Sequence, residues 1–268
     1  MSNQILLSAT QHNLDACIEL AIEKGFGIEL MTFGFAEVLD SNWQDFVRDY
    51  QDRLQEVPGT ISLHGPFIDL VSGSPDPKIN QIAQERYRHA IQIAEMLGIH
   101  RVVYHANFIG TMHIDFYRKG WHERNLVFWQ EMAEYARAHG VVLALENMWE
   151  FDPYIIGDLL SEIDHPNLRA CIDVGHVGLY GDEPYSFRDW LQVMAPWVVQ
   201  FHINNNDGKV DDHHALGWEK GALDYQQILP LIQAIPSQPD IVLEMYTVDD
   251  MRHSLGFFEP GLIRSFPR

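Results

Sequence analysis

Short apolar, β-branched runs alternate with longer amphipathic ones along the whole of this 268-residue chain. A buried strand reads as a brief run of Val, Ile and Leu, whereas a helix packed on one side repeats apolar positions every three to four residues. On that basis Ile5–Ser8, Gly27–Met31, Thr60–His64, Arg101–His105, Val141–Glu146, Leu168–Asp173, Trp197–Ile203 and Ile241–Met245 are expected to be strands. Helices are expected at Asn13–Lys24, within Trp43–Val57, and over Pro77–Leu97, Glu123–His139, Tyr154–Ile163, Ser186–Met194 and Tyr225–Ala234, with an irregular last one from Asp249. The stretch between the fourth strand and Gly120 reads as loop.

Eight strands alternating with helical crossovers predict an α/β chain closed as a single (β/α)8 TIM barrel, a fold that needs about 250 residues. The open doubly wound alternative carries a glycine-rich phosphate turn after its first strand, and here that strand runs into Ala9–Thr10–Gln11. No stretch is rich enough in Pro, Gly or Ser to divide the chain, so residues 1–268 are expected to form one domain.

The last residue of each inferred strand carries the chemistry. His64, His105, Glu146 and Asp173 end the third to sixth strands, and His202 and Glu244 stand at the ends of the seventh and eighth. In a barrel these ends surround one pocket, the face where barrel active sites lie. Imidazole and carboxylate inside apolar runs are costly to bury unless paired or ligated, and they are donors that divalent metals prefer. His176 follows in the IDVGH turn. Asp211 and His213, in DDHHALG, are spaced so that an extended segment points both to one side and turns Asp212 and His214 away. Together these make nine candidate ligands: His64, His105, Glu146, Asp173, His176, His202, Asp211, His213 and Glu244. That is too many for one ion, and enough for two or three that share a carboxylate.

Composition narrows the partners. The 38 acidic and 18 basic residues give a formal net charge of −20, a field that disfavours nucleic acid and anionic membranes even though salt screens it beyond about 8 Å. No Lys/Arg cluster supplies the basic footprint of nucleic-acid binding. The apolar share of 46% supports a large core without any run long enough to span a membrane. The N-terminal ILLSA is too short for a signal peptide, and Cys17 and Cys171 show no metal spacing, so a reduced cytoplasmic location is expected.

The stretches SLHGPF, VVYHAN, LALEN, DHPNLRACIDVGH, QFHINNNDG, DDHHALG and VLEM resemble, in their order, the xylose isomerase-like barrel superfamily of sugar isomerases and epimerases and endonuclease IV enzymes. The resemblance covers the third strand to the eighth. It implies a shared metal site of Glu146, Asp173, His202 and Glu244, with Glu146 and Glu244 as the acid/base pair of the epimerases. In the endonuclease IV pattern it implies a second ion on Glu146, His64 and His105 and a third on His176, Asp211 and His213. The cofactor is then one to three divalent ions: Zn, Mn, Mg or Co.

Two departures weigh against duplex DNA as substrate. IELMTFGF lacks the basic and amide-rich loop of the endonucleases, and FIDLVSGSPDP contains no Arg or Lys. The expected function is therefore isomerisation or epimerisation of a small sugar or sugar-like polyol through a metal-stabilised enediolate. The alternative is a zinc phosphoester hydrolase acting on a small phosphorylated substrate; a barrel that only binds metal is the third class. In the first reading His176 hydrogen-bonds the substrate, while Trp149 and Phe108, with Phe67 and Trp218, wall its carbon face. Association into a homo-oligomer is left open.

Overall fold

A computed structural model describes residues 3–181 and 185–258. Its eight strands are β1 (Ile5–Ala9), β2 (Gly27–Leu30), β3 (Ile61–His64), β4 (Arg101–His105), β5 (Val142–Glu146), β6 (Leu168–Asp173), β7 (Val198–Ile203) and β8 (Asp240–Leu243). All neighbours pair in parallel, in chain order, and β8 closes on β1. The (β/α)8 barrel expected from the alternating pattern is the fold observed.

Outward-facing strand residues such as Leu7, Ile28, Leu30, Leu63, Val102, Leu143, Leu145, Ile172 and Phe201 are buried with the apolar faces of the helices in one continuous core. Burying each such side chain contributes about 1.5–3 kcal/mol. The helices are α1 (Leu14–Lys24), α2 (Ala36–Leu39), α3 (Trp43–Arg53), α4 (Pro77–Met96), α5 (Asp115–Ala138), α6 (Tyr154–Ile163), α7 (Val174–Tyr180), α8 (Phe187–Met194), α9 (Tyr225–Gln233) and α10 (Val248–Ser254).

Three departures from the sequence expectation have local causes. Helix α5 starts at Asp115 rather than Glu123, because Gly120 costs an established helix only about 1 kcal/mol. Its buried residues Trp121, Asn125, Phe128, Trp129 and Met132 hold it down. Helix α7 stands where a glycine-containing turn was expected, since the Asp173 carboxylate accepts from His176 N at 2.6 Å and so caps a helix that begins directly at the strand end. Strand β8 ends at Leu243, which leaves Glu244 one residue past it.

The barrel interior is polar along much of its length. Alternate strand residues share a face, so Arg101, Val103 and His105 line the inside of β4, with Val142, Ala144 and Glu146 beside them in register. Val103, Ala144 and Cys171 form a small apolar cluster separate from the main core. Around it lie the buried side chains of Glu29, Ser62, Gln200 and His202.

Candidate metal and active site

The register of the strands brings the ligand-type residues to one level. His105 pairs with Glu146 across β4 and β5, and Asp173 pairs with His202 across β6 and β7. Two close approaches help set the rim. Gly65 follows His64 where an added Cβ would lie 2.0 Å from the Tyr104 ring, and a Cβ on Gly175 would lie 2.3 Å from Asn204 Oδ1 and 3.0 Å from Asp173 Oδ1.

Among the described residues, three groups offer ligand atoms within 4.8 Å of one another: Glu146–Asp173–His202–Glu244, His64–Glu146–His202 and His176–Asp211–His213. His105 stands at the edge of the second group. Its ring is edge-on to His64, and Nε2 lies 3.4 Å from Glu146 Oε2. The observed set thus puts His202, rather than His105, with His64 and Glu146. Asp211 and His213 reach the site from a loop held by paired backbone bonds between Asn205 and His214. His214 points away and stacks on Trp218 at 3.8 Å.

Three of the histidines are set for ligation through Nε2. His64 Nδ1 donates to the Gly65 carbonyl at 2.8 Å, His176 Nδ1 to that of Asn147 at 2.8 Å, and His213 Nδ1 to that of Glu244 at 2.9 Å. A carbonyl only accepts, so each Nδ1 carries a proton, and each ring, once its Nε2 proton is lost, presents that lone pair inward. Those Nε2 atoms face carboxylates: Glu146 Oε2 at 3.2 Å from His64, and Asp211 Oδ2 at 3.2 Å from His176 and Oδ1 at 3.4 Å from His213. Lone pair against carboxylate is repulsive unless a proton or a cation stands between them.

The electrostatics carry the same mark. Burial pushes the Asp173 carboxyl up to about 7, and the Glu244 and Glu146 charges push the same way against the pull of His176. An added positive charge would favour the ionised form of the whole carboxylate set. Burial disfavours the charged form of Glu146 too, but His202 and His105 hold it well below the usual carboxylate range. Burial likewise opposes a charge on His176, which Asp173 and Asp211 nevertheless raise well above the ordinary histidine value. Glu244 Oε2 and Asp211 Oδ1 are buried with no hydrogen-bond donor. Two orphaned carboxylate oxygens, one in each outer group, fit a donor set built for divalent cations.

The site opens into a cavity of about 360 Å³ lined by Ser8, Thr10 and Asn13, by His64, His105, His176, Asp211, His213 and Glu244, and by the apolar Met31, Phe35, Phe67, Met148, Met245 and Tyr246. Glu146 lies behind these histidines, 1% exposed. Among the described lining residues none is Arg or Lys.

Three of the expected pocket walls lie elsewhere, and Trp218 is one of them, stacked on His214 outside the cavity lining. Phe108 is fully buried, its ring against Tyr117, Trp121 and Phe151, because the loop after β4 turns it into the core. Trp149, in the loop after β5, is 41% exposed and outside the cavity lining, with its carbonyl against Gly110. Two buried acids went unremarked in the sequence. Glu29, in the middle of β2, contacts His202 Nε2 at 2.8 Å. Glu150 clamps two loops by accepting from Phe108 N at 2.8 Å and Met148 N at 2.6 Å. A charged residue inside an apolar strand was the available signal for Glu29.

Comparison with known proteins agrees with the fold. The chain is 27% identical over 165 residues to the D-psicose 3-epimerase of Ruminiclostridium cellulolyticum; the match takes in 58% of this chain and spans only 55% of that enzyme's length. A solved D-tagatose 3-epimerase-like protein superposes with a TM-score of 0.78 at 23% identity, over 95% of each chain. The TTHB071 protein from Thermus thermophilus, soaked with ZnCl2, does so with a TM-score of 0.75 at 24% identity, over 95% of this chain and 96% of its own. No helix among the described residues is long and apolar enough to cross a membrane. The sequence profile of the xylose isomerase-like TIM barrel matches residues 18–260, and the chain belongs to that family.

Proposed function

We propose that the protein is a divalent-metal-dependent epimerase or isomerase of a small, uncharged sugar or sugar-like polyol, with Glu146 and Glu244 as its acid/base pair. The observation that supports this most is the placing of those two buried carboxylates around one candidate cation position, with His202 Nδ1 3.1 Å from Glu146 Oε1 and 3.0 Å from Glu244 Oε2. Glu146, Asp173, His202 and Glu244 would hold the ion; three carboxylates and one imidazole suit Mn, Mg or Co. When bound, the cation supplies a Lewis acid that polarises a carbonyl and a neighbouring hydroxyl and lowers the barrier to removing the adjacent C–H proton. Glu244, on the cavity wall, takes or returns a proton from one side, and Glu146, from beneath, serves the other. His176 donates to or accepts from a substrate hydroxyl. The thioether and aromatic lining, including Phe67 and Tyr246, covers the carbon face, and a lining without Arg or Lys favours a substrate without phosphate.

A second reading, phosphoester hydrolysis, is favoured by the His176–Asp211–His213 group on the same cavity, a donor set suited to zinc. Elemental analysis of protein purified without chelator separates the two. Close to one Mn, Mg or Co per chain supports epimerisation, whereas two or three Zn per chain overturns that order and promotes hydrolysis.

A further inference from the structure

The interior of the barrel beneath the site holds a chain of polar side chains that the proposed chemistry does not use. Arg101, near the far mouth, donates to Asp240 Oδ2 at 2.7 Å and to Gln200 Oε1 at 3.0 Å. A guanidinium has only donors, so it fixes which end of the Gln200 amide faces it and turns the NH2 toward Glu29. Glu29 Oε2 accepts from that NH2 and from Ser62 Oγ at 2.7 Å. Its other oxygen, Oε1, has no hydrogen-bond donor of its own and lies 2.8 Å from His202 Nε2. Glu29, Ser62, Gln200 and His202 are all fully buried, out of reach of bulk solvent.

We propose that Glu29 is a positioning residue that holds the proton of His202 on Nε2, so that Nδ1 presents its lone pair to a cation held by Glu146, Asp173 and Glu244. The inference rests on the metal reading of that group and not on the identity of the substrate. His202 is the one histidine of the site that must ligate through Nδ1, because Nδ1 is the atom facing Glu146 and Glu244. The carbonyl anchors that set His64, His176 and His213 would give it the wrong tautomer. A carboxylate behind the ring, at Nε2, gives the right one and raises the basicity of the ligating nitrogen.

Glu29 and Gln200 both stand at Nε2, and the buried Cys171 thiol is a further hydrogen-bond partner of the ring. The Gln200 NH2 lies 3.0 Å from Nε2 and, as a donor, would favour the opposite tautomer. With the proton on Nε2 the ring would give the Glu29 carboxylate a charge-assisted bond, about twice as strong as the neutral one Gln200 offers, so Glu29 prevails. The Gln200 NH2 is in turn engaged by Glu29 Oε2. Replacing Glu29 by the isosteric Gln removes that advantage. Either its NH2 opposes the Gln200 NH2, or it flips and donates to Nε2, which forces the proton onto Nδ1 where a cation should sit.

The test compares wild type, Glu29→Gln, and the exchanged pair Glu29→Gln/Gln200→Glu, in which an acceptor again lies beside Nε2 and Arg101 keeps a partner. Mn²⁺ titration by calorimetry should show Glu29→Gln binding about 10–100-fold more weakly, with the exchanged pair recovering most of the loss. In the metal-free proteins, ¹⁵N spectra of the His202 ring should show Nε2 protonated in wild type and in the exchanged pair, and unprotonated in Glu29→Gln. Wild-type affinity in a folded Glu29→Gln, an exchanged pair no tighter than the single variant, or an unprotonated wild-type Nε2 would overturn the proposal. If wild type has a protonated Nε2 yet takes up no Mn²⁺, Glu29 keeps its place beside the ring but the metal reading fails.

Discussion

Glu146, at the end of β5, and Glu244, just past β8, present carboxylate oxygens within 4.8 Å of each other although two strands stand between them. Both are buried, with Asp173 beside them, and like charges at that distance repel strongly away from water. A cation between them removes the repulsion, so metal should stabilise the fold. At 100 times its Kd, Mn²⁺ should add about 2.7 kcal/mol and raise Tm by roughly 5–10 °C for a chain of this size. Differential scanning fluorimetry with and without chelator checks this; an unchanged Tm would count against a cation at these carboxylates.

The pH dependence should reverse with metal. Burial opposes the charge on His213, but Glu244 and Asp211 carry its pKa from 6.5 up to about 9. A base raised on folding stabilises the native state fully below its unfolded value, and that stabilisation is lost as pH rises through the folded value. The metal-free protein should therefore lose thermal stability between pH 6.5 and 9. A cation on His176, Asp211 and His213 needs an unprotonated Nε2, so zinc affinity should rise through the same window. Melting curves at each pH, with zinc and with chelator, give both slopes; a metal-free Tm that climbs over this range would contradict the assignment.

Gly65→Ala tests the rim. The new Cβ would lie 2.0 Å from a fully buried Tyr104 ring whose hydroxyl donates to the Tyr87 carbonyl at 2.7 Å, so the ring cannot swing aside cheaply. Overpacking of this kind costs about 1–3 kcal/mol and should displace the neighbouring His64. Chemical denaturation should show a lower midpoint at constant slope, with weaker binding of a second zinc ion in calorimetry.

Glu150 should prove a loop clamp. Burial pushes its carboxyl up to about 7. Glu150→Ala leaves the buried Phe108 and half-buried Met148 amides unpaired and should cost about 1–3 kcal/mol for each. The change should be read in urea midpoints and in raised hydrogen exchange over the loops after β4 and β5.

The barrel and the ring of ligand-type residues were legible because one physical rule produced both. A buried strand must be apolar, so each His, Asp or Glu that ends one stands out, and parallel closure brings those ends together. What stayed hidden depends on contacts that only closure creates. Glu29 sits within GIEL without any local partner, since its neighbours Ser62, Gln200 and His202 lie 33 or more positions away. The direction of a loop ring is likewise not coded locally, so Phe67 faces the cavity while Phe108 turns into the core. Gly175, within IDVGH, disguised the start of α7 as a turn, although Asp173 was present to cap it.

The most direct test of the acid/base assignment is exchange of a substrate hydrogen with solvent. Mn²⁺-loaded protein should be incubated with unphosphorylated ketoses in D₂O and followed by proton NMR. The wild type should replace the hydrogen on the carbon beside the carbonyl with deuterium while forming the epimer or isomer, and Glu146→Gln and Glu244→Gln should each abolish that exchange, with Tm near wild type. Retained exchange in both variants, or none in the wild type alongside zinc-dependent cleavage of a small phosphoester, would contradict the proposed function.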